Sequence, residues 1–299
     1  MFYAIILLFL FIVMLLFPKA TFDGASEGLL LWFQIVLPTL FPFMIVSNLF
    51  INTNSVFYIS RMLKPFLQRL FRISEQACYV VLIGFLCGYP MGAKVISDLI
   101  SNNYISKEEG KYLLSFCNNT SPMFIISFIV MQNFKLKSIL LPTVFILFLS
   151  PFLCSFLFRL FYRIPETTIY NPSNHIQLNF SIFDNAITNG LESITKVGGY
   201  IIVFSIIFSL CKDLPWNWFL PTLEISSGIP WIMSNNLPLT VAYPYVLACT
   251  SFGGFCSIAQ TYSVMQETKL PLFPYIIEKL ITATVTSLLA LLYIHFIHR

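Results

Sequence analysis

Residues 77–98 read ACYVVLIGFLCGYPMGAKVISD, an apolar run that is interrupted at Gly88, Pro90 and Gly92 and then resumes. Glycine adopts backbone conformations that other residues avoid, and proline lacks the N–H group that a regular helix needs. The stretch therefore predicts a broken or re-entrant helix. Inside hydrocarbon such a break persists only where protein, water or a solute supplies hydrogen bonds, because an unsatisfied peptide group costs several kcal/mol there.

Composition places this break in a membrane. Of the 299 residues, 57% are hydrophobic and 10% are charged, whereas roughly a quarter of the residues in a soluble domain are charged. Most of the exterior must therefore face lipid, so the lipid bilayer is the first expected partner. A spanning helix needs about 20 apolar residues. We predict an all-α polytopic membrane protein with about eight to ten membrane segments and no separate soluble domain.

The distribution of charge predicts a surface helix and an orientation. Four basic residues of the segment 61–72 fall on one side at helical spacing: Arg61, Lys64, Arg69 and Arg72. Apolar residues fill the other side, a pattern typical of an interfacial helix on the cytoplasmic face. Residues 1–17 contain no Lys or Arg, so we interpret them as a first helix rather than a secretory signal. The net charge of +4 is spread along the chain, and we expect no nucleic-acid partner.

A second break follows within the predicted hairpin region 77–133. Ser106 and Glu109 form a capping-box signature that begins a helix, and the polar stretch CNNTSP at 117–122 interrupts it. Ser121 and Pro122 suit the N-cap and the first position of the next helix. Four polar residues of this break are candidate solute contacts: Asn118, Asn119, Thr120 and Ser121.

Two further candidate sites lie in the second half of the chain. Glu224 is flanked by apolar residues and is followed by Ser226 and Ser227. An ionisable residue inside a membrane is a functional candidate by default; the alternative position for this acid is the water boundary. Farther on, an apolar run is interrupted at Gly253 and Gly254, and Gln260 follows.

Short sequence echoes predict two related halves. FDGA at 22–25 is echoed by FDNA at 183–186, and GYPMGAK at 88–94 is echoed by GFCSIAQ at 254–260. Interrupted segments at corresponding places in two halves are typical of a transporter's binding site. The predicted organisation is a first repeat at 1–162, a linker at 163–179 and a second repeat at 180–299.

The interrupted helices favour an anionic solute. Freed N–H groups and the positive end of a resumed half-helix attract an anion, and Lys94, just past the first break, would strengthen that preference. The alternatives are that the break is only a packing kink and that Lys94 extends to the membrane interface. The predicted substrate-binding residues are Gly88, Tyr89, Pro90, Gly92, Lys94, Asn118, Asn119, Thr120, Ser121, Glu224, Ser226, Ser227, Gly253, Gly254 and Gln260.

The metalloprotease motif HExxH is absent from the sequence. We expect no enzymatic activity and assign no catalytic residue. The seven cysteines form no CxxC pair, and we predict no metal site, disulfide or cofactor. A coupling ion and a homo-oligomer are left open as partners.

Four motifs resemble the sporulation integral membrane protein family called YlbJ, a relative of the nucleoside-recognition Gate domain and of the concentrative nucleoside transporters. They are GYPMGAK at 88–94, ISKEEGKYLLSFCNNTSP at 105–122, LEISSG at 223–228 and SFGGFCSIAQ at 251–260. The resemblance covers nearly the whole chain. It implies two inverted repeats with re-entrant hairpins.

The same resemblance implies a place in sporulation. The protein would lie in the mother-cell membrane around the forespore and would move dipicolinate, a pyridine dicarboxylate, toward the spore. Lys94, Asn118 and Asn119 would then bind carboxylate oxygens, and Tyr89 or Phe255 would pack on the ring. Two alternatives remain open, namely a nucleoside or nucleobase carrier and a non-transporting scaffold for spore assembly. Gln260 stands opposite Lys94 in the second half, so the site need not be symmetric.

Overall fold

A computed structural model describes residues 2–164, 178–215 and 217–297. These residues form helices and no strand, so the predicted all-α class is confirmed. Most of the predicted linker 163–179 lies outside the described residues. The predicted division into two repeats, and their inverted relationship, stay predictions.

The first half contains eight α-helices among its described residues. In chain order they are α1 (Phe2–Leu16), α2 (Pro18–Leu31), α3 (Leu37–Asn52), α4 (Val56–Phe71), α5 (Ala77–Leu86), α6 (Met91–Ser101), α7 (Lys107–Cys117) and α8 (Leu140–Phe158). A π-helical segment, Trp32–Val36, joins α2 to α3 in one continuous helix. A second π-helix, Phe124–Phe134, follows α7, and a 3₁₀ turn, Lys137–Ile139, leads into α8.

The second half contains five α-helices among its described residues. They are α9 (Phe180–Cys211), α10 (Ile225–Ser234), α11 (Leu239–Phe252), α12 (Gly254–Val264) and α13 (Leu272–Ile297). A 3₁₀ helix, Asn217–Thr222, precedes α10.

Five stretches of the described chain are long and apolar enough to cross a membrane. They are Pro18–Asn52, Lys137–Phe158, Phe180–Cys211, Leu239–Val264 and Leu272–Phe296. Three shorter apolar helices, Ala4–Leu16, Ala77–Leu86 and Phe124–Phe134, add to these. Large apolar side chains such as Phe9, Leu141 and Phe296 are exposed on the outside, as lipid-facing residues should be. The chain is a polytopic membrane protein.

The two long helices that open the predicted repeats cross in close contact. A Cβ atom on Gly24 or Gly28 would come within about 3 Å of the α9 backbone at Ser205, Ile206 or Ile202. On the other side of the crossing, the Trp32 indole N–H donates to the Ile194 carbonyl oxygen at 2.9 Å. Small residues let helix backbones approach where no hydrophobic force distinguishes helix from lipid. This crossing holds the two halves of the chain together.

The predicted interfacial helix 61–72 largely coincides with α4, which begins earlier than predicted, at Val56, and ends at Phe71 with Arg72 as its C-cap. Arg61 and Lys64 form ion pairs with Glu75 at 3.6 and 2.6 Å. Met62 and Phe66 are largely exposed. A helix that exposes both basic and large apolar side chains suits the boundary between lipid and water.

The four interruptions are of two kinds. Helices α5 and α6 pack side by side as a hairpin, and the 3₁₀ helix 217–222 forms a second, shorter hairpin with α10. By contrast, α7 and the following π-helix, like α11 and α12, continue end to end across a break. The similar sequences 88–94 and 254–260 therefore lie in different structures. The first forms the tip of the α5/α6 hairpin, and the second begins at the break between α11 and α12. The tip of the second hairpin lies at Leu223 and Glu224.

Candidate functional site

A partly open cavity of about 80 Å³ lies where the two hairpin tips meet the two helix breaks. Helix α3 and the π-helix Phe124–Phe134 close its sides with Thr39 and Ser127, among other residues. Eight predicted residues line it: Gly88, Tyr89, Thr120, Ser121, Glu224, Ser226, Gly253 and Gln260. Segments far apart in sequence are therefore brought to one cavity, whose wall combines hydroxyl, amide and carboxylate side chains with apolar ones.

The remaining predicted residues lie beside the cavity without lining it. They are Pro90, Gly92, Lys94, Asn118, Asn119, Ser227 and Gly254. Most of them position the segments that do line it. Gly92 packs on the Cys117 carbonyl, and Gly254 packs on the Leu223 carbonyl. The Asn119 side-chain amide donates to the Phe116 carbonyl oxygen at 2.6 Å, within the end of its own helix.

The first hairpin tip is seated in the first helix break. Gly88 has φ of 86°, the left-handed region that favours glycine. A Cβ atom there would lie 2.9 Å from the backbone nitrogen of Ser121. The Ser121 hydroxyl accepts the Phe124 N–H at 3.2 Å and caps the next helix, as predicted. The tip and the break therefore form one unit.

The second tip is seated in the second break in the same manner. The Cys256 N–H donates to the Leu223 carbonyl oxygen at 2.8 Å, which joins the start of α12 to the tip. Gly253 and Gly254 have φ of 84° and 79°. The Tyr89 ring of the first tip would lie 3.3 Å from a Cβ atom on Gly253. Contact between Tyr89 and Gly253 thus connects the two tip-and-break units across the cavity.

Glu224 is a carboxylate in the wall of the cavity and is 3% exposed. Its two oxygens accept the backbone N–H groups of Ser226 at 2.9 Å and Ser227 at 2.6 Å. Glu224 is therefore the N-cap of α10, and its charge is balanced by the positive end of that helix. This half-helix end already holds an anion, so it is not open to a second one in the conformation described.

Lys94 does not face the cavity. Its Nζ atom lies 2.5 Å from the Asp98 carboxylate, one turn farther along α6. Among the described residues that line the cavity, none is Lys, Arg or His. The reason is helical geometry, because residues at i and i+4 share one face, and on α6 that face turns away from the tip. The predicted contact between Lys94 and a solute is absent from this conformation.

Asn118 is buried beside the cavity at the centre of a polar cluster. Its side-chain amide donates to the Thr261 hydroxyl and to the Tyr275 hydroxyl, each at 2.8 Å. Its backbone carbonyl accepts a hydrogen bond from the Lys279 ammonium at 3.0 Å. The sequence interpretation missed Thr261, Tyr275 and Lys279. The available signal was Lys279 itself, an ionisable residue inside the last apolar segment.

The chain is 26% identical to the sporulation integral membrane protein YlbJ of Bacillus subtilis (strain 168). The similarity extends over 95% of this chain and 80% of that protein. This confirms the predicted YlbJ resemblance. The apolar helices make the chain an integral membrane protein, and the relative that it resembles is a sporulation membrane protein. The further kinship with the nucleoside-recognition Gate domain stays a prediction. No family profile and no solved structure matches the chain.

Proposed function

We propose that this protein is a membrane carrier for a small solute in sporulating cells, and that the cavity between the two tips is its binding site. The observation that carries the proposal is the convergence of four interrupted segments on one cavity. Irregular backbone at membrane depth is tolerated where it lines a cavity or is buried in protein. Discontinuous helices whose ends meet near a shared site are the usual construction of secondary transporters.

Dipicolinate is the first substrate candidate because of the resemblance to YlbJ. The cavity imposes a condition on it. A dicarboxylate would bring two negative charges beside Glu224, and the described lining offers no basic side chain to balance them. Charges of like sign at close range in a medium of low dielectric repel strongly. We therefore expect dipicolinate to enter together with protons or a neutralising metal cation.

A nucleoside-like neutral solute is the second candidate, and the lining itself favours it. Glu224 can accept hydrogen bonds from solute hydroxyls in addition to those from its own helix. Thr120, Ser121, Ser226 and Gln260 offer further uncharged donors and acceptors. Such a solute places no charge next to Glu224. Neutral polar recognition therefore costs less desolvation than recognition of a dianion.

Flux into proteoliposomes tests the proposal and separates the two substrates. Purified protein should carry labelled dipicolinate, or uridine as a neutral probe, faster than empty liposomes do. Glu224→Gln removes the charge and keeps one carbonyl oxygen as an acceptor for the α10 cap. Loss of the charge should raise dipicolinate uptake if a dianion enters without a counter-ion, and should lower uridine uptake if Glu224 binds hydroxyls.

Glu192→Gln is the matched control for that experiment. Glu192 is an exposed acid on α9 that is paired with Lys196 at 2.6 Å and does not line the cavity. The control variant should transport as the wild type does. Folded protein that moves neither solute, in a strain whose sporulation tolerates Glu224→Gln, would favour the scaffold reading and overturn the carrier proposal.

We propose the mother-cell membrane around the forespore as the location. The support is the resemblance to a sporulation membrane protein, since no feature of the helices distinguishes one bacterial membrane from another. A fluorescent fusion expressed under its own promoter should form a ring around the forespore. Uniform labelling of the whole cell envelope would contradict this location.

A further inference from the structure

Lys279 is a buried lysine that no carboxylate balances among the described residues. It lies in the membrane-spanning helix α13 and is 2% exposed. The neighbouring acid, Glu278, turns instead to the Tyr162 hydroxyl at 2.5 Å. Each described ion pair within 4.0 Å involves other residues. A cation at membrane depth is costly unless an electrostatic partner compensates for it.

The compensating partner is the end of a broken helix. Helix α7 ends at Cys117, and the Asn118 carbonyl oxygen beyond it accepts the Lys279 Nζ–H at 3.0 Å. The last carbonyl groups of a helix carry a partial negative charge because they lack intrahelical partners. A positive charge at this end is therefore stabilised by the helix itself, without a carboxylate.

The side chain of the same residue makes further polar contacts. The Asn118 amide joins the Thr261 and Tyr275 hydroxyls at 2.8 Å each, and its side-chain oxygen faces the Ala93 N–H at 3.4 Å. In secondary transporters, unwound carbonyls and the C-terminal ends of half-helices are where a coupling Na⁺ or H⁺ binds. Here the Nζ atom of Lys279 occupies that kind of place.

We propose that Lys279 is a tethered cation that stands in for a coupling metal ion at the first helix break. A carrier built in this way needs neither Na⁺ nor K⁺ to complete its structure. The ammonium holds the end of α7 to α13, and so fixes the break on which the α5/α6 tip rests. The consequence for transport rests on the proposed function, but the consequence for cation binding does not.

Thermal melting of the detergent-purified protein tests the cation binding directly. The wild type should melt at the same temperature in sodium, potassium and choline chloride of equal ionic strength. Lys279→Ala should melt several degrees lower in choline and recover part of that loss in sodium or potassium, because the vacated place beside the Asn118 carbonyl then admits a free cation. The melting temperature of Lys279→Arg should be the same in the three salts, as for the wild type, since this variant retains a tethered charge.

Ile294→Ala is the matched control. Ile294 is 5% exposed on the same helix, far along it from Lys279. Its truncation should lower the melting temperature with no preference among the three salts. Stabilisation of the wild type by sodium or potassium over choline would overturn the proposal, whether or not the variants fold. The proposal would also be overturned if Lys279→Ala folds and its melting temperature depends on the salt no more than that of Ile294→Ala does.

Measurement of solute flux is a second test of the proposal. Wild-type uptake of the neutral probe uridine should be equal with sodium, potassium or choline outside the liposomes, and a sodium or potassium requirement for uridine would overturn the tethered cation. Absence of flux for every solute would instead remove the carrier proposal. The melting experiment would still decide the role of Lys279, so the two failures are distinguishable.

Discussion

A Cβ atom on Gly92 would lie 2.0 Å from the Cys117 carbonyl oxygen. The same oxygen would lie 1.8 Å from a Cβ atom on Gly84, on the other arm of the hairpin. The end of α7 therefore sits in a notch that both arms of the α5/α6 hairpin leave open by having no side chain. This contact sets the position of the tip residues Gly88 and Tyr89 in the cavity wall.

Gly92→Ala should destabilise the protein markedly. The new methyl group would meet a backbone carbonyl, which cannot rotate away as a side chain can, and overpacking of this kind costs about 1–3 kcal/mol or more. We expect a lower melting temperature and loss of solute flux. Gly199→Ala is the control, because a Cβ atom at Gly199 would meet nothing within 4 Å. Equal melting temperatures for the two variants would contradict the proposed notch.

Glu224→Ala should cost more stability than removal of an ordinary exposed helix cap. The side chain accepts two backbone N–H groups in a buried setting, and loss of a capping residue costs about 0.5–2 kcal/mol. The two N–H groups would then face the cavity without an acceptor. Asn179→Ala is the comparison, because Asn179 caps α9 with one bond of 2.8 Å at the surface. If denaturant unfolding gives a smaller loss of stability for Glu224→Ala than for Asn179→Ala, water replaces the carboxylate as the acceptor.

Lys94→Ala should leave solute affinity unchanged. Its ammonium is paired with Asp98 and lies off the cavity wall. The pair is only partly exposed, at 20% and 21% of the two side chains, and ion pairs near a surface contribute about 0–1 kcal/mol. We therefore expect the KM for uptake to match that of the wild type. A KM raised tenfold for an anionic solute alone would mean that Lys94 turns into the cavity in another conformation of the carrier.

The control for that measurement is Lys196→Ala. Lys196 forms an i, i+4 pair with Glu192, as Lys94 does with Asp98, but in a more exposed position. Both variants should transport alike. A difference in transport between the two variants would show that Lys94 has a role beyond its ion pair with Asp98.

The breaks could be predicted from the sequence because their cause is local. Gly88, Gly253 and the stretch around Pro122 each weaken a continuous helix locally, because glycine adopts other conformations easily and proline lacks a backbone donor. The capping roles of Ser106 and Ser121 are local as well, and both are present. The class of protein follows from composition alone. These features need no knowledge of which segments meet.

The partners of the breaks could not be predicted in that way. Whether Lys94 meets a solute or Asp98 depends on which face of α6 turns toward the tip, and that depends on packing against α7. The similarity between 88–94 and 254–260 likewise could not distinguish a hairpin from a through-going helix, because glycine permits both. The Lys279 to Asn118 bond joins residues 161 positions apart, and only the folded chain brings them together.

Asn118→Ala should be the most destabilising of the changes to polar residues at the first break. The Asn118 side chain is 1% exposed and bonds both Thr261 and Tyr275. Truncation would leave two buried hydroxyls without this partner, at about 1–3 kcal/mol for each unsatisfied group. Asn119→Ala is the matched control, because that amide bonds only the nearby Phe116 carbonyl among the described contacts. We expect a clearly lower melting temperature for Asn118→Ala than for Asn119→Ala, and the reverse order would mean that the cluster around Lys279 does not hold the break together.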